Sequence, residues 1–457
     1  MTSFDAIVIG TGQSGPPLAV RLAGAGWKVA VIERKLFGGT CVNTGCIPTK
    51  TLVASARAAH IARRAAEFGV VLNGAVAVDM KRVKARKDAI VRRSHDGVEE
   101  QLKSTPNCTV IEAQARFEGP HTVRAGDKLL KAKNIFIDVG GRASIPPIPG
   151  LQDIEYLTNS SMMDVDFLPE HLIVLGGSYV GLEFGQMYRR FGSEVTIVER
   201  GESLIGHEDK DISQAVREIL EGEGIRIVTS AANVRVSTTN GAANGATKVA
   251  WDGGEASGSH LLVAVGRVPN TGDLGLDTAG VKMDPSGFIQ VDDRLRTSAP
   301  GIWAMGDCNG KGAFTHTSYN DYEIVAANLL DGDARRVTDR ILAYNLYIDP
   351  PLGRAGMTER DIRQAGRKAL MATRPMTRVG RAIEKAETQG FLKVLVDPYT
   401  RQILGASLLG IECDEVIHSI LDLMYARAPY TVMQRAVHIH PTVSELLPTL
   451  LGDLKSL

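Results

Sequence analysis

A strand–glycine–helix–strand unit occurs twice in this chain, and no other feature restricts its fold as much. The first runs Asp5-Ala-Ile-Val-Ile-Gly10-Thr-Gly12-Gln-Ser-Gly15, then a helical stretch, then Trp27-Lys-Val-Ala-Val-Ile-Glu33. The second runs His171-Leu-Ile-Val-Leu-Gly176-Gly-Ser178-Tyr179-Val-Gly181, with a strand from Glu194 ending at Glu199. First glycine and terminal glutamate fall at 10 and 33, then at 176 and 199, the same interval both times. This is the dinucleotide-binding fingerprint in its strand–turn–helix setting. The glycines let the backbone approach a pyrophosphate, the helix N-terminus presents free N–H groups, and the acid reaches a ribose. Two units imply two bound dinucleotides and an α/β fold with two parallel sheets. Ser178 stands where the middle glycine belongs, which crowds the second site. Pro16 and Pro17 are compatible with a helix only in its first turn.

Between the two units lies Gly38-Gly-Thr-Cys41-Val-Asn-Thr-Gly-Cys46-Ile-Pro-Thr-Lys50. The cysteine spacing is wrong for a Cys-x-x-Cys pair, and no second cysteine pair completes a zinc site. On a helix, positions four and five apart lie near one another, so the two thiols could close a disulfide with little movement. At 457 residues the chain exceeds a single core and should divide into about three domains. Lys plus Arg equals Asp plus Glu at 52 each, which favours neither nucleic acid nor an anionic membrane as partner. No apolar run approaches the ~20 residues of a membrane span. The first strand begins almost at Met1, leaving no room for a signal peptide, and five cysteines suit a reducing compartment. The expectation is a cytoplasmic enzyme. The basic stretch from Lys81 to Arg93 is expected to be a solvated helix face.

With these motifs the chain resembles the flavin-dependent pyridine nucleotide–disulfide oxidoreductases, which include dihydrolipoamide dehydrogenase, glutathione reductase and mercuric reductase. The likeness covers essentially the whole chain. It extends to Leu262-Val-Ala-Val-Gly266-Arg-Val-Pro-Asn270, Ile302-Trp-Ala-Met-Gly-Asp307 and His438-Ile-His440-Pro-Thr-Val-Ser-Glu445. It implies a glutathione reductase-like fold: two Rossmann-like dinucleotide-binding domains and a C-terminal α+β dimerisation domain. Residues 1–147 and 271–335 would form the FAD-binding domain, 148–270 the NAD(P)H-binding domain and 340–457 the dimerisation domain. The Gly/Asn/Ala/Thr-rich stretch from Ser237 to Thr247 looks like a hairpin tip. The short segments after residue 340, such as Leu392 to Asp397, look alternating, and helices are expected from Cys413 onward.

The resemblance also assigns residues. FAD would lie on Gly10, Gly12 and Gly15, with Glu33 on its ribose, Lys50 beside its ring, Gly140 at the strand end and Asp307 on the ribityl chain. Around Gly140 the family reads Ala-Thr-Gly; here Asp138 and Val139 depart from it. NAD(P)H would dock on Gly176, Gly181, Glu199 and Gly266, with Tyr179 covering the nicotinamide pocket. Cys46 would be the flavin-side thiol and Cys41 the thiol that attacks substrate. His440, polarised by Glu445, would serve the cysteine pair of the other subunit in a homodimer, and Lys50 and Glu183 would form an ion pair beside the flavin. His438 is expected to pack, Cys108 and Cys413 to be ordinary buried thiols, and Cys308 has no assigned role.

The chain lacks the C-terminal cysteine pair of mercuric reductase and of the large thioredoxin reductases. Ile47-Pro-Thr-Lys50, Pro350-Pro-Leu-Gly-Arg-Ala-Gly-Met-Thr-Glu359 and Leu404-Gly-Ala-Ser-Leu-Leu409 look most like a branch that contains reactive-chlorine-resistance flavoproteins, associated with copper reduction. The implied acceptor is a small disulfide or a metal ion. A dihydrolipoamide dehydrogenase-type subunit, a mercuric reductase-like enzyme and a low-turnover redox sensor are the competing readings. Glu199 favours NADH, because it would bond a ribose 2′-hydroxyl and repel a 2′-phosphate. Arg200 keeps NADPH as the alternative.

Overall fold

The computed structural model describes residues 1–238 and 246–457. Strands β1 (Thr2–Ile9), β2 (Val29–Glu33), β3 (Cys108–Glu112), β4 (Ala115–Gly119), β5 (Thr122–Ala125) and β6 (Lys128–Ile137) form the first sheet, in the order β3-β2-β1-β6-β5-β4. The run from β3 to β6 is parallel, and β5 and β4 continue it antiparallel. Ala6–Ile9 and Val29–Ile32 are all buried, as a parallel strand covered on both faces requires. The helices here are α1 (Gly15–Gly24), α2 (Gly39–Asn43), α3 (Cys46–Arg63) and α4 (Met80–Ser104). Pro16 and Pro17 fall in the first turn of α1. The basic stretch lies on α4, but Lys87 is buried, its ammonium donating to the Met163 carbonyl and to Asp88, so that face is not wholly solvated.

After β7 (Gly141–Ala143) the second unit contributes β8 (His171–Leu175), α5 (Tyr179–Phe191), β9 (Glu194–Val198), α6 (Lys210–Gly222), β10 (Arg226–Val228), β11 (Arg235–Thr238), β12 (Thr247–Trp251), β13 (Gly254–Gly258), β14 (His260–Val263) and β15 (Arg267–Pro269). Its parallel sheet runs β10-β9-β8-β14, beside an antiparallel β11-β12-β13. Strands β11 and β12 pair as the expected hairpin requires; its tip lies outside the described residues. Strand β16 (Ile302–Ala304) then returns to the first sheet and pairs with the end of β6. Strands β17 (Ala343–Leu346), β18 (Leu352–Gly356), β19 (Leu370–Pro375), β20 (Phe391–Val396) and β21 (Ile403–Leu409) make an antiparallel sheet ordered β17-β18-β21-β20-β19. Helix Cys413–Tyr425 packs on it through Val416, Ile417 and Ile420. Strand β20 does not alternate: every residue from Leu392 to Val396 is buried, because Leu392, Val394 and Val396 pack in the cluster with helix Cys413–Tyr425 while Lys393 is covered by the start of α6. The observed architecture is the expected glutathione reductase-like one.

Two features fix how these parts meet. Leu52 and Ala56 of α3, Leu182 and Met187 of α5, and Leu346 and Leu352 of the third sheet share one apolar cluster. At the other contact, the Lys393 ammonium on β20 donates to Asp209 at 2.9 Å and Asp211 at 2.8 Å, both at the start of α6, and to Glu359 at 2.7 Å. Burial alone would lower the Lys393 pKa; the three carboxylates outweigh it and hold the group above its ordinary range. Lys393→Ala leaves the buried Asp209 beside Asp211 and Glu359 without their cation and is expected to destabilise the protein by about 3 kcal/mol. A thermal midpoint unchanged at pH 7 would show that the clasp carries no net stability.

Candidate redox-active site

Both dinucleotide loops are built the same way. Each first glycine has a positive φ, +97° at Gly10 and +111° at Gly176. A Cβ on Gly10 would lie 2.2 Å from the Asp138 carbonyl oxygen, and one on Gly176 2.3 Å from that of Ala264. Each terminal acid is bonded back to its loop. Thr11 donates to Glu33 Oε2 through its N–H (3.0 Å) and hydroxyl (2.6 Å). Gly177 N–H donates to Glu199 Oε2, and Gly201 N–H to Oε1, both at 2.6 Å. The structure also accounts for Ser178. A Cβ on Gly12 would lie 2.9 Å from the Asp138 carboxylate, whereas the corresponding strand end in the second unit carries Ala264, which has no carboxylate to collide with. Gly15 opens α1 and Gly181 lies in the first turn of α5.

Asp138 departs from the resemblance and has a definite place. Its Oδ2 accepts from Gly15 N–H at 2.6 Å and Ser14 N–H at 3.2 Å, capping α1 from below. Burial pushes its carboxyl well above the usual carboxylate range, against these two amides. Asp307 lies nearby on the loop after β16; its carboxylate meets Arg267 Nη2 at 3.5 Å, and burial still raises it above the ordinary range. Such an acid has acceptor capacity left for a hydroxyl donor. Gly140 and Gly266 both have positive φ and open space where a side chain would stand. A glycine loop with no side chain at Gly10 or Gly12, a fixed Glu33 and an under-partnered Asp307 fit an adenine dinucleotide with a polyhydroxyl chain, as FAD has.

The two cysteines are not on one helix, contrary to what their spacing suggests. Cys41 lies on α2, the chain breaks at Thr44–Gly45, and Cys46 is the first residue of α3. The thiols nonetheless hydrogen-bond each other. That bond, followed by one from Thr315 and the charge of Lys50, lowers the Cys46 pKa to about 6 despite burial. The N-terminus of α3 acts in the same direction. Cys41, the donor, is pushed far up. In the dithiol form, therefore, the proton sits on Cys41 and the negative charge on Cys46. Thr315 Oγ1 lies 3.1 Å from Cys46 Sγ; no local sequence signal marks it, since 269 positions separate the two.

One turn along α3, Lys50 donates to Glu183 Oε2 at 2.7 Å, which ties α3 to α5. The other Glu183 oxygen accepts from Tyr347 N–H at 3.0 Å, and the Lys50 ammonium lies 4.7 Å from the Tyr347 ring centre. Tyr347 is a neighbour the sequence did not point to. Tyr179, at the start of α5, meets Phe314 edge-on at 5.9 Å. His440 Nδ1 lies 2.9 and 3.1 Å from the Glu445 oxygens, with the His440 side chain 77% exposed. The chain does not bring His440 to its own Cys41. His438 Nδ1 lies 3.3 Å from the Ala436 carbonyl oxygen. Cys308 and Cys413 are buried and Cys108 half-buried. No helix among the described residues is long and apolar enough to cross a membrane.

Comparison with known proteins agrees with this geometry. Residues 4–321 match the model of the pyridine nucleotide-disulphide oxidoreductases, and 342–451 match their dimerisation domain. The probable pyridine nucleotide-disulfide oxidoreductase RclA of Escherichia coli (strain K12) is 37% identical over the full length of both chains. Dihydrolipoyl dehydrogenase of Thermus scotoductus is 33% identical, over 97% of this chain and 96% of its own. Mercuric reductase of Streptomyces lividans is 32% identical, over 98% and 95%. Among solved structures, the Cu(II) complex of the HOCl-induced flavoprotein disulfide reductase RclA from Escherichia coli superposes with a TM-score of 0.90 at 36% identity, covering 99% of both chains.

Proposed function

The chain belongs to the pyridine nucleotide-disulphide oxidoreductases and is an FAD-dependent oxidoreductase, and we propose that it carries electrons from NADH to the Cys41–Cys46 pair and on to a disulfide or metal-ion acceptor. The observation that carries this reading is the thiol pair across the α2–α3 break, one helical turn from the Lys50–Glu183 link to α5, the helix of the second dinucleotide unit. FAD, when bound, supplies the two-electron carrier between nicotinamide and sulfur.

The rest is done by the chain. The first loop and Glu33 hold the flavin nucleotide, Asp307 accepts from its polyhydroxyl chain, and Lys50, fixed by Glu183, places a positive charge beside Cys46. Cys41 attacks the acceptor once its proton is taken by His440 of the partner subunit. The balance is NADH + H⁺ + RSSR → NAD⁺ + 2 RSH for a disulfide, and NADH + 2 Cu(II) → NAD⁺ + H⁺ + 2 Cu(I) for copper. A solved Cu(II) complex of the RclA neighbour favours copper among metal ions. The deciding experiment follows NADH consumption by the FAD-loaded protein with lipoamide, oxidised glutathione, Cu(II) and Hg(II) in parallel. Failure of every acceptor to stimulate consumption over the oxygen background sinks the reductase reading.

The thiol assignment has its own test. Cys46 is held near 6, so its thiolate is present above that pH and lost as pH falls through it. The long-wavelength absorption of a thiolate against oxidised flavin, generated by anaerobic two-electron reduction, should fade with a midpoint near pH 6 and be absent in Cys46→Ser. Persistence of the band in that variant would reassign the flavin-side thiol.

Glu199 supports NADH as the donor. Two backbone amides pin its carboxylate at the loop, and each oxygen keeps a lone pair for a ribose hydroxyl. A 2′-phosphate there would meet a fixed like charge. Glu199→Ala should lower the ratio of kcat/KM for NADH over NADPH by about tenfold or more. An unchanged ratio would place specificity elsewhere.

A further inference from the structure

Tyr179, a predicted nicotinamide-site residue, meets aromatic rings from two distant parts of the chain. Phe314, just before helix α7 (Thr315–Ala326), stacks flat on His316 at 5.5 Å and on Tyr344 of β17 at 5.3 Å. Tyr179 stands edge-on to Phe314 and edge-on to Tyr344, at 5.9 and 5.4 Å. The Tyr179 and Tyr344 hydroxyls also hydrogen-bond. Burial raises the Tyr179 pKa to about 12 and that of Tyr344 higher still, so both are neutral phenols.

Tyr344 is itself held from behind. Its hydroxyl donates to Glu208, a buried carboxylate just ahead of α6. Glu208 Oε2 lies 3.5 Å from Nε of Arg354 on β18, the largest fully buried side chain of the molecule's described residues. The Arg354 guanidinium is fixed in turn by the carbonyls of Ala355, Ala406 and Gly356. The chain Arg354–Glu208–Tyr344–Tyr179 thus runs from the middle of the third sheet to the start of α5, and its end member is free to move only by giving up its contacts with Tyr344 and Phe314.

We propose that Tyr344, anchored by Glu208 and Arg354, is a positioning residue that latches Tyr179 and so sets how readily the nicotinamide ring gains its pocket. The inference rests on the reading that the second glycine loop binds the nicotinamide nucleotide with Tyr179 over the pocket. A ligand that must displace a closed state binds more weakly by the fraction of open protein. Loss of one hydrogen bond from the closed state therefore tightens binding of any ligand that needs the pocket open, by about threefold to tenfold. A ligand that occupies only the adenosine half gains nothing.

NAD⁺ and ADP-ribose separate the two cases. Both carry the adenosine diphosphate part, and only NAD⁺ carries the nicotinamide ring. Isothermal titration of the oxidised, FAD-loaded protein should show Tyr344→Phe lowering the NAD⁺ Kd about threefold to tenfold, with the ADP-ribose Kd unmoved. In a Tyr179→Ala background, Tyr344→Phe should have no further effect on NAD⁺. Equal shifts for both ligands, no shift for NAD⁺, or an effect that survives in the Tyr179→Ala background each overturn the latch. Should Tyr344→Phe lose FAD, Tyr179→Phe removes the same hydroxyl contact from the other end and must give the same split. Wild-type protein that binds neither ligand overturns the underlying reading of the second loop as well. Wild-type binding of both with no split in the variants overturns the latch alone.

Discussion

Cys41→Ser is expected to cut turnover with a disulfide acceptor by roughly 10³-fold or more, while bleaching of the flavin by NADH proceeds at the wild-type rate. The asymmetry between the thiols is the reason. Cys41 hydrogen-bonds to Cys46, which lowers the Cys46 pKa to about 6 and raises that of Cys41. Negative charge therefore rests on the sulfur beside Thr315 and Lys50, and the outer thiol keeps the proton until a base removes it. A serine hydroxyl is a far poorer nucleophile than a thiolate and forms no sulfur–sulfur bond, so no Cys41–Cys46 disulfide exists to be reduced and the electrons stay on the flavin. Stopped-flow absorbance of the flavin and steady-state acceptor turnover separate the two steps. Turnover of Cu(II) within tenfold of wild type in this variant would mean that the metal takes electrons without the dithiol.

His440→Ala carries the second large effect, about 10²–10⁴-fold on disulfide turnover. His440 Nδ1 faces the Glu445 carboxylate, which fixes the ring and leaves Nε2 directed away from Glu445. The side chain is 77% exposed, on a chain that carries a dimerisation domain. The proton balance adds a discriminating feature. Disulfide reduction consumes a proton and copper reduction releases one, so the loss should be larger with lipoamide or oxidised glutathione than with Cu(II). Reduction of the flavin by NADH should be untouched. If both half-reactions slow equally, His440 serves structure and not proton transfer.

What the sequence made legible was local. The two glycine loops, their terminal acids and the His440–Glu445 pair lie within short stretches of chain, and the structure gives each a place. Contacts between distant segments were another matter. Thr315 meets Cys46 across 269 positions and Tyr344 meets Glu208 across 136, with no periodicity or motif to join them. Lys50–Glu183, 133 positions apart, was accessible only through the resemblance. Cys41 and Cys46 look like neighbours on one helix until Gly45, at φ −130° and ψ −116°, breaks it. Lys393 in β20 reads as the polar face of an alternating strand; its burial comes from α6, whose Asp209 and Asp211 supply the compensating charge. Asp138 stood out as a departure, and only the packing of β6 beneath α1 gives it a task.

The outward-facing His440 has a consequence for inheritance. If it completes the thiol site of the other subunit, a lesion at Cys41 and a lesion at His440 damage different halves of each composite centre. A heterodimer of the two mutant chains then holds one doubly broken centre and one wholly intact centre. Two alleles of the same gene, each null by itself, would complement when expressed together. The unit on which selection acts for this chemistry is then the pair of chains, not the single polypeptide.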